Sequence, residues 1–436
     1  MDAYSETLHR IFNLRGGEID LRLDRVNQAL SLFDHPEKKI RSFHIAGTNG
    51  KGSTAAMLHR ILSLSGYRTA LYTSPHLVSF TERIRIGDTE ISRDEVVALA
   101  QELTERTAAV GVPLTFFEFI TVMAFVYFAR QQAEVAVVEV GLGGRLDATN
   151  LVDPVVCVIT TISKDHEAYL GSDLLSIARE KGGIIKPGVP AVCGALSTEV
   201  SLLLKKLAED QGSQSYFLGS NFSFSLKNHG LFDYTGIKRY FPQLSLALRG
   251  QHQKANAAVA LGALELASEA FRVSEMAVRE GLKTVIWPGR FEIICTSPTV
   301  ILDGAHNGEG VKALVETIEE FQQGKNVKFL FASMEDKDWR LMLDTLATVA
   351  DEMVLTRVDM ERSADPQQLA KHLPQQIPHR VIEDSRTAFR TLFEAARSDE
   401  VIVVAGSLYL LGEIRPTIEE IINARPGSRR PAVAPQ

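Results

Sequence analysis

The strongest chemical signal in the chain is Gly47-Thr48-Asn49-Gly50-Lys51-Gly52-Ser53. Glycines let backbone N–H groups turn towards phosphate oxygens, and the N-terminus of a following helix adds favourable partial charge. Lys51 can reach terminal phosphates, and Ser53 can face them or a metal. The spacing is not the common G-x-x-x-x-G-K-[S/T]: the loop is shorter and a glycine follows the lysine. A glycine turn without ligand is the alternative, and the strand–loop–helix setting argues against it. Glu139 ends an apolar run just before Gly141-Leu142-Gly143-Gly144. A carboxylate there suits Mg²⁺, a hard ion that prefers oxygen, although a solvated strand-end glutamate is an equal reading. His166 follows Ser163-Lys164-Asp165 in the same way, and alone it is more often a packed or surface residue than a ligand. Lys181, near Gly182 and Gly183, is by itself an ordinary lysine at a helix end. Asp303, in Asp303-Gly304-Ala305-His306-Asn307, can take ribose hydroxyls or merely form a turn.

The elements needed to position these groups read as a parallel α/β sheet, because β-branched runs alternate with helix-like segments. Strands are expected at Ile40–Ala46, Arg68–Thr73, Val135–Val140 and Val155–Ile162, with a helix from about Ser53. Ser92-Arg93-Asp94-Glu95 fits a capping box that opens a helix through Val96 to Leu103. The apolar stretch Ile120–Ala129 reads as a buried helix. Gln214–Leu248 alternates aromatics with turn residues and reads as a small β excursion, and Gln251–Ala270 returns to helix. Trp287-Pro288-Gly289-Arg290 breaks the pattern and marks a domain boundary. Beyond it the alternation restarts: strand Val300–Leu302, helix from Val311, strand Val327–Phe331, helix from Trp339 and strand Val401–Val404. The expected fold is α/β. It has an N-terminal P-loop ATPase-like domain (1–286) with a mostly parallel sheet and the β excursion. A C-terminal Rossmann-like α/β domain (287–424) and a disordered tail (425–436) follow.

At 436 residues the chain has room for two or three domains. Its net charge of -7 argues against a nucleic-acid surface, although local loops of an acidic protein still bind nucleotides. No apolar run reaches the ~18 residues of a membrane span. The N-terminus lacks the basic start and apolar core of a signal peptide. Cys157, Cys193 and Cys295 lie far apart, which offers neither a metal knuckle nor a disulfide framework and fits a reducing cytoplasm.

Read in order, the motif blocks resemble the folylpolyglutamate synthase/dihydrofolate synthase family of the Mur ligase superfamily, from about Ile19 to Gly412. They are G-T-N-G-K-G-S (47–53), T-S-P-H-L (73–77), T-E-R-I-R (81–85), T-F-F-E (115–118), E-V-G-L-G-G-R-L-D-A-T-N (139–150) and D-H (165–166). R-E-K-G-G-I-I-K-P-G (179–188), H-Q-x-x-N-A (252–257), P-G-R-F (288–291) and D-G-A-H-N (303–307) complete the set.

The resemblance implies that residues Gly47, Thr48, Asn49, Gly50, Lys51, Gly52 and Ser53 hold ATP phosphates. Asn256, Arg290 and Asp303 would also contact ATP, and Ser74, Glu139 and His166 would bind Mg²⁺, with two ions in play. Lys181 would be carbamylated and, with Lys51 and His166, would support catalysis. Ile19, Asp20, Leu21, Arg22, Thr115, Phe116, Phe117, Glu118, Leu146, Asp147 and Ala148 would line the pterin site. Arg22 departs from the family's Leu-Gly-Leu-x-Arg pattern, which has a glycine there. The implied reaction is ATP-dependent addition of L-glutamate to dihydropteroate, to reduced folates, or to both, through an acyl phosphate in a cytoplasmic monomer. Leu146 to Asn150 resembles the bacterial bifunctional form, and a tail-extending folylpolyglutamate synthase alone is the alternative. A cell-wall ligase of the same superfamily is expected to need an N-terminal domain for which a loop beginning at Gly47 leaves no room. A nucleotide-binding regulator would explain the loop but not Glu139, His166, Lys181 and Asp303 together.

Overall fold

The computed structural model describes residues 2–14, 22–165, 167–171 and 173–424. Ile19, Asp20, Leu21, His166 and the tail 425–436 lie outside the described residues. The chain forms two compact units, one of Met1–Leu246 with Lys254–Val285 and one of Ala247–Gln253 with Ile286–Gln436.

The first unit is built on eight strands: β1 (Arg41–Ala46), β2 (Thr69–Tyr72), β3 (Ile84–Ile86), β4 (Thr89–Glu90), β5 (Val135–Glu139), β6 (Pro154–Ile159), β7 (Ala191–Cys193) and β8 (Ser215–Phe217). Their order is β4-β3-β2-β5-β1-β6-β7-β8. Pairing is parallel from β2 through β8, and β3 and β4 add an antiparallel edge. All five residues of β5 are buried, as expected of a parallel strand covered on both faces. The helix Phe116–Arg130 is buried around most of its circumference from Glu118 to Phe128 and sits in the main apolar core. No described helix is long and apolar enough to cross a membrane.

Differences from the expected elements are mostly of extent. The capping box of Ser92 and Glu95 is present, but its helix runs as far as Ala109 because Val96, Leu99, Ala100, Leu103 and Thr107 continue one buried stripe. The stretch expected as a single β excursion divides. Ser215–Phe217 joins the main sheet beside β7, whereas β9 (Ser223–Leu226), β10 (Phe232–Thr235) and β11 (Tyr240–Leu244) form a separate antiparallel sheet.

The second unit carries β12 (Glu292–Thr296), β13 (Thr299–Leu302), β14 (Val327–Phe331), β15 (Glu352–Arg357), β16 (His379–Asp384) and β17 (Val401–Ala405), in the order β12-β13-β17-β14-β15-β16. Within this sheet β12 and β13 pair antiparallel, and the other described strand pairs are parallel. The molecule is therefore α/β in both units, with a large, mostly parallel sheet first.

Candidate active site

Parallel register brings the candidate residues of the first unit to one edge. Ile45 of β1 pairs with Glu139 of β5, and Ala46 pairs with Ile159 of β6. Tyr72 of β2 pairs with Val138. The segments that leave these strands are therefore neighbours at their carboxyl ends: the loop from Gly47, Thr73-Ser74, Val140-Gly141 and Thr160–Ser163. Ligands of open α/β sheets bind at such an edge.

The loop is held in shape from the β6 side. Thr48 N–H donates to the Thr161 carbonyl at 2.8 Å, and Asn49 N–H donates to the Thr161 hydroxyl at 2.9 Å. The Thr160 hydroxyl donates to the Asn49 carbonyl at 2.6 Å, and the Thr48 hydroxyl donates to the Ser163 carbonyl at 3.1 Å. A Cβ at Gly47 would overlap the Thr160 hydroxyl. Gly50 has φ +85°, and a Cβ there would overlap the Asn256 amide. Asn256, more than two hundred residues away in sequence, thus lies directly against the loop. The helix begins at Lys51, earlier than the sequence expectation of about Ser53.

Two lysines converge on one carbonyl. Lys51 Nζ donates to the carbonyls of Gly47 (3.0 Å) and Thr48 (3.2 Å), and Lys181 Nζ donates to the same Gly47 carbonyl at 2.9 Å. Lys181 is 5% exposed. Burial, and after it the charge of Lys51, pulls its pKa down to about 7, against the opposing effect of Asp165 and Asp147. The charged form is thus disfavoured, and the neutral amine becomes accessible near neutral pH. The Ser53 hydroxyl is buried without a hydrogen-bond partner, so its oxygen lacks a group that a phosphate or a cation would supply.

Glu139 is buried, and its carboxylate accepts the Ser74 backbone N–H at 3.3 Å. This brings two of the three expected metal ligands together, with His166 outside the described residues. Carboxylate and hydroxyl oxygens at one sheet edge fit a hard divalent cation, and such an ion would also offset the buried charge of Glu139.

The expected pterin residues of the first unit divide into two kinds. Thr115 and Glu118 form a capping box, with Thr115 N–H donating to Glu118 at 2.7 Å, while Arg25 pairs with the other carboxylate oxygen at 2.8 Å. Glu118 is thereby tied to helix capping and an ion pair. Asp147 likewise accepts the backbone N–H groups of Leu142 (2.9 Å) and Thr149 (3.0 Å), and Ala148 belongs to the apolar core. Phe116 and Phe117 are only partly buried, and Leu146 is half-buried. Phe117 packs over Gly141, where a Cβ would overlap its ring. Arg22 is exposed and outside any regular element.

Beside Phe116 lies a cluster for which the sequence motifs gave no role. Phe12 stacks on Phe116 at 5.1 Å, the Arg83 guanidinium sits 5.5 Å from the same ring, and Arg83 Nε donates to His76 Nδ1 at 2.7 Å. Burial, then Arg83, lowers the His76 pKa to about 4, so the imidazole is neutral and its Nδ1 accepts from Arg83. His76 and Arg83 stand inside the T-S-P-H-L and T-E-R-I-R blocks, which was the only signal available.

In the second unit Asp303 follows β13 and is held by the N–H groups of Phe291 (2.7 Å) and Ala305 (2.8 Å). Burial raises its pKa and Arg290 opposes the rise. Arg290 occupies the space that a Cβ at Gly304 would need, and its guanidinium donates to the Gly289 carbonyl at 2.9 Å. Arg290 and Asp303 are therefore neighbours, although a strand pair separates them in sequence.

Comparison with known proteins gives this arrangement its family. Residues 45–264 match the Mur ligase middle domain, and residues 289–408 match the Mur ligase glutamate ligase domain. The chain is 34% identical over 422 residues to the dihydrofolate synthase/folylpolyglutamate synthase of Bacillus subtilis, covering 91% of this chain and 95% of that protein. This chain belongs to the Mur ligase family, in its dihydrofolate synthase/folylpolyglutamate synthase branch. It is an ATP-dependent ligase. The solved structure of Escherichia coli FolC in complex with DHPP and ADP superposes with a TM-score of 0.89 at 33% identity, covering 96% of this chain and 98% of that one. The bifunctional folylpolyglutamate synthase/dihydrofolate synthase of Yersinia pestis, complexed with AMPPNP and Mn ion, gives 0.87 at 33% identity, covering 96% and 98%. The ligase branch accounts for a phosphate loop and acidic edge in one unit and a second α/β unit bearing Arg290 and Asp303.

Proposed function

We propose that this ligase joins the amino group of L-glutamate to the carboxylate of dihydropteroate, of reduced folyl(poly)glutamates, or of both, and releases ADP and phosphate. The observation that carries the reading is the edge itself: a phosphate loop with an unpartnered Ser53 hydroxyl, two lysines on the Gly47 carbonyl, and the Ser74–Glu139 contact. The folate-handling relatives give the acid its chemical class.

A carboxylate is a poor electrophile because its charge is delocalised. Transfer of the ATP γ-phosphoryl group to one carboxylate oxygen breaks the bond to ADP and gives an acyl phosphate with a good leaving group. Residues 47–53 hold the phosphates with backbone N–H groups, and Lys51 moves its ammonium from loop carbonyls to the migrating phosphoryl group; positioning contributes most of the rest. The neutral amine of glutamate then attacks the acyl carbon, phosphate leaves with the bonding electron pair, and a proton is lost from nitrogen.

A divalent cation, held by Ser74, Glu139 and His166, would supply further positive charge at the phosphates, and a second such ion fits the same chemistry. Lys181, whose pKa burial lowers to about 7, is suited to add carbon dioxide and become a carbamate, an oxygen donor for that cation. Asn256, Arg290 and Asp303 contact the nucleotide, and the exposed faces of Phe116, Phe117 and Leu146 meet the pterin acid. The three free buried cysteines accord with a reducing cytoplasm, where the protein works as a monomer.

The test is glutamate-dependent ADP release, run in parallel with dihydropteroate and with a reduced monoglutamyl folate. Turnover with both acids gives the bifunctional enzyme, and turnover with the folate alone gives a tail-extending enzyme. Release independent of glutamate with either acid would refute the reaction.

A further inference from the structure

Behind the Gly141–Gly144 loop lies a buried chain of three polar side chains that the motifs did not single out as a unit. Asp147 Oδ1 accepts the Thr149 hydroxyl at 2.5 Å, and that hydroxyl meets His44 Nε2 at 2.9 Å. All three residues are at most 4% exposed. The other Asp147 oxygen accepts the Leu142 N–H at 2.9 Å, in the middle of the glycine loop. The proton order follows from what surrounds His44. Its Nδ1 is buried without a partner, and a bare lone pair there costs less than a stranded N–H. The proton therefore sits on Nε2 and is donated to Thr149, whose own proton goes to Asp147. Three side chains are locked in one direction, ending on the loop.

The loop has two functional neighbours. At its start it leaves β5 directly after Glu139, and Gly141 lies under the Phe117 ring. At its end Gly144 is so close to the Glu180 and Lys181 carbonyls that a Cβ would clash, and Arg145 N–H donates to the Glu180 carbonyl at 2.8 Å. One short loop thus joins Glu139 to the helix Leu174–Gly182 that carries Lys181.

We infer that His44 and Thr149 are positioning residues for the divalent-cation site: acting through Asp147, they fix the glycine loop that sets Glu139 and Lys181 relative to each other. Neither side chain touches substrate. The inference rests on the ligase reading, in which Glu139 and Lys181 serve the cation. Partners that orient metal ligands change metal affinity by roughly 10- to 100-fold when removed.

The decisive experiment measures Mn²⁺ binding to the full chain in the presence of AMPPNP, by electron paramagnetic resonance of the free ion, together with steady-state kinetics. Thr149→Val removes the hydroxyl at nearly constant shape, and Thr149→Ser restores it. His44→Gln keeps a donor near the Nε2 position, and His44→Leu does not. The expected result is Mn²⁺ affinity weakened about tenfold in Thr149→Val and His44→Leu, with Thr149→Ser and His44→Gln within about threefold of the parent. AMPPNP binding without metal stays unchanged. A Thr149→Val chain that is folded by circular dichroism and binds Mn²⁺ like the parent would overturn the inference. So would a loss of metal-free AMPPNP binding in step with Mn²⁺, which marks general damage to the loop. If Thr149→Val does not fold, the His44→Gln and His44→Leu pair decides alone, and equal Mn²⁺ affinity in the two overturns the inference. If the parent binds Mn²⁺·AMPPNP but releases no ADP with glutamate and any pterin acid, the proposed reaction fails while the positioning role is still judged by the Mn²⁺ comparison.

Discussion

Replacing Lys181 by Met should reverse the usual expectation that removing a buried hydrogen bond destabilises. The ammonium of Lys181 is held at a pKa of about 7 against an ordinary 10.5, chiefly by burial and then by Lys51. At ~1.4 kcal/mol per pH unit, that gap is a penalty of ~5 kcal/mol on the charged form. The folded-state pKa lies below the unfolded one, so the penalty is complete below pH 7. Between pH 7 and 10.5 the folded chain holds fewer protons than the unfolded chain, and the penalty shrinks as pH rises. Methionine of similar length carries no such penalty but loses the charged bond to the Gly47 carbonyl, worth about 1.5–3 kcal/mol. At pH 6 the Lys181→Met protein should therefore be more stable than the parent by ~2–3 kcal/mol. Its advantage should fall by ~1.4 kcal/mol per unit above pH 7, ~4 kcal/mol in all by pH 10, so that the parent overtakes it. Urea midpoints in carbonate-free buffer at pH 6, 7, 8, 9 and 10 measure the difference directly, because other titrating groups are common to both proteins. A stability difference that does not change with pH would refute the assignment of a neutral Lys181. Turnover should be lost in both Lys181→Met and Lys181→Ala. Acetate should restore part of it only in Lys181→Ala, where the side-chain volume is vacant.

Lys51→Ala should lower turnover by at least about 100-fold, as expected for loss of a charge aimed at the moving phosphoryl group. Its circular dichroism should match the parent, because among the described residues Lys51 gives up two bonds to loop carbonyls; near-normal turnover would remove the phosphate-loop assignment. Gly50→Ala should cost ~1–2 kcal/mol in a urea titration, since Gly50 is left-handed, and it should also raise the KM for ATP by pushing Asn256 away; neither change would be expected if the loop could relax. Arg290→Ala should raise the KM for ATP about tenfold, ~1.4 kcal/mol, with the second unit still folded, and unchanged KM and kcat would count against a nucleotide role for this arginine.

The fold was legible in the sequence where one period dominated. Val327–Phe331 is a strand with the expected bounds, because Val327, Phe329, Leu330 and Phe331 form a buried parallel strand while Lys328 carries its ammonium to Glu352 and Glu400. Gln214–Leu248 was less legible. Its first strand, Ser215–Phe217, has the same aromatic composition as the excursion that follows, and only the pairing with β7 assigns it to the main sheet. Pairing partners are a long-range property that local alternation does not contain.

The candidate site was legible to the degree that its chemistry is local in sequence. Gly47–Ser53 places phosphate-binding N–H groups, a lysine and a hydroxyl within seven residues, so a reader of the chain meets them together. Lys181 is different: 134 residues separate it from Gly47, and only the fold puts its Nζ on the Gly47 carbonyl beside that of Lys51. Its unusual protonation comes from burial and a second cation, neither of which an Arg-Glu-Lys-Gly-Gly segment specifies; the family resemblance, not the local residues, singled it out. Asp147 and Glu118 show the converse. Their carboxylates stand within motif blocks and suggest ligand contacts, yet most of their hydrogen-bonding capacity goes to Leu142 and Thr149 in one case and to Thr115 and Arg25 in the other. A motif therefore marks a functional region without separating the side chains that meet ligand from those that hold the loop. Thr149, inside the same block as Asp147, and His44, outside every block, belong to the second group, and the effect inferred for them on Glu139 and Lys181 runs through Asp147 to the glycine loop.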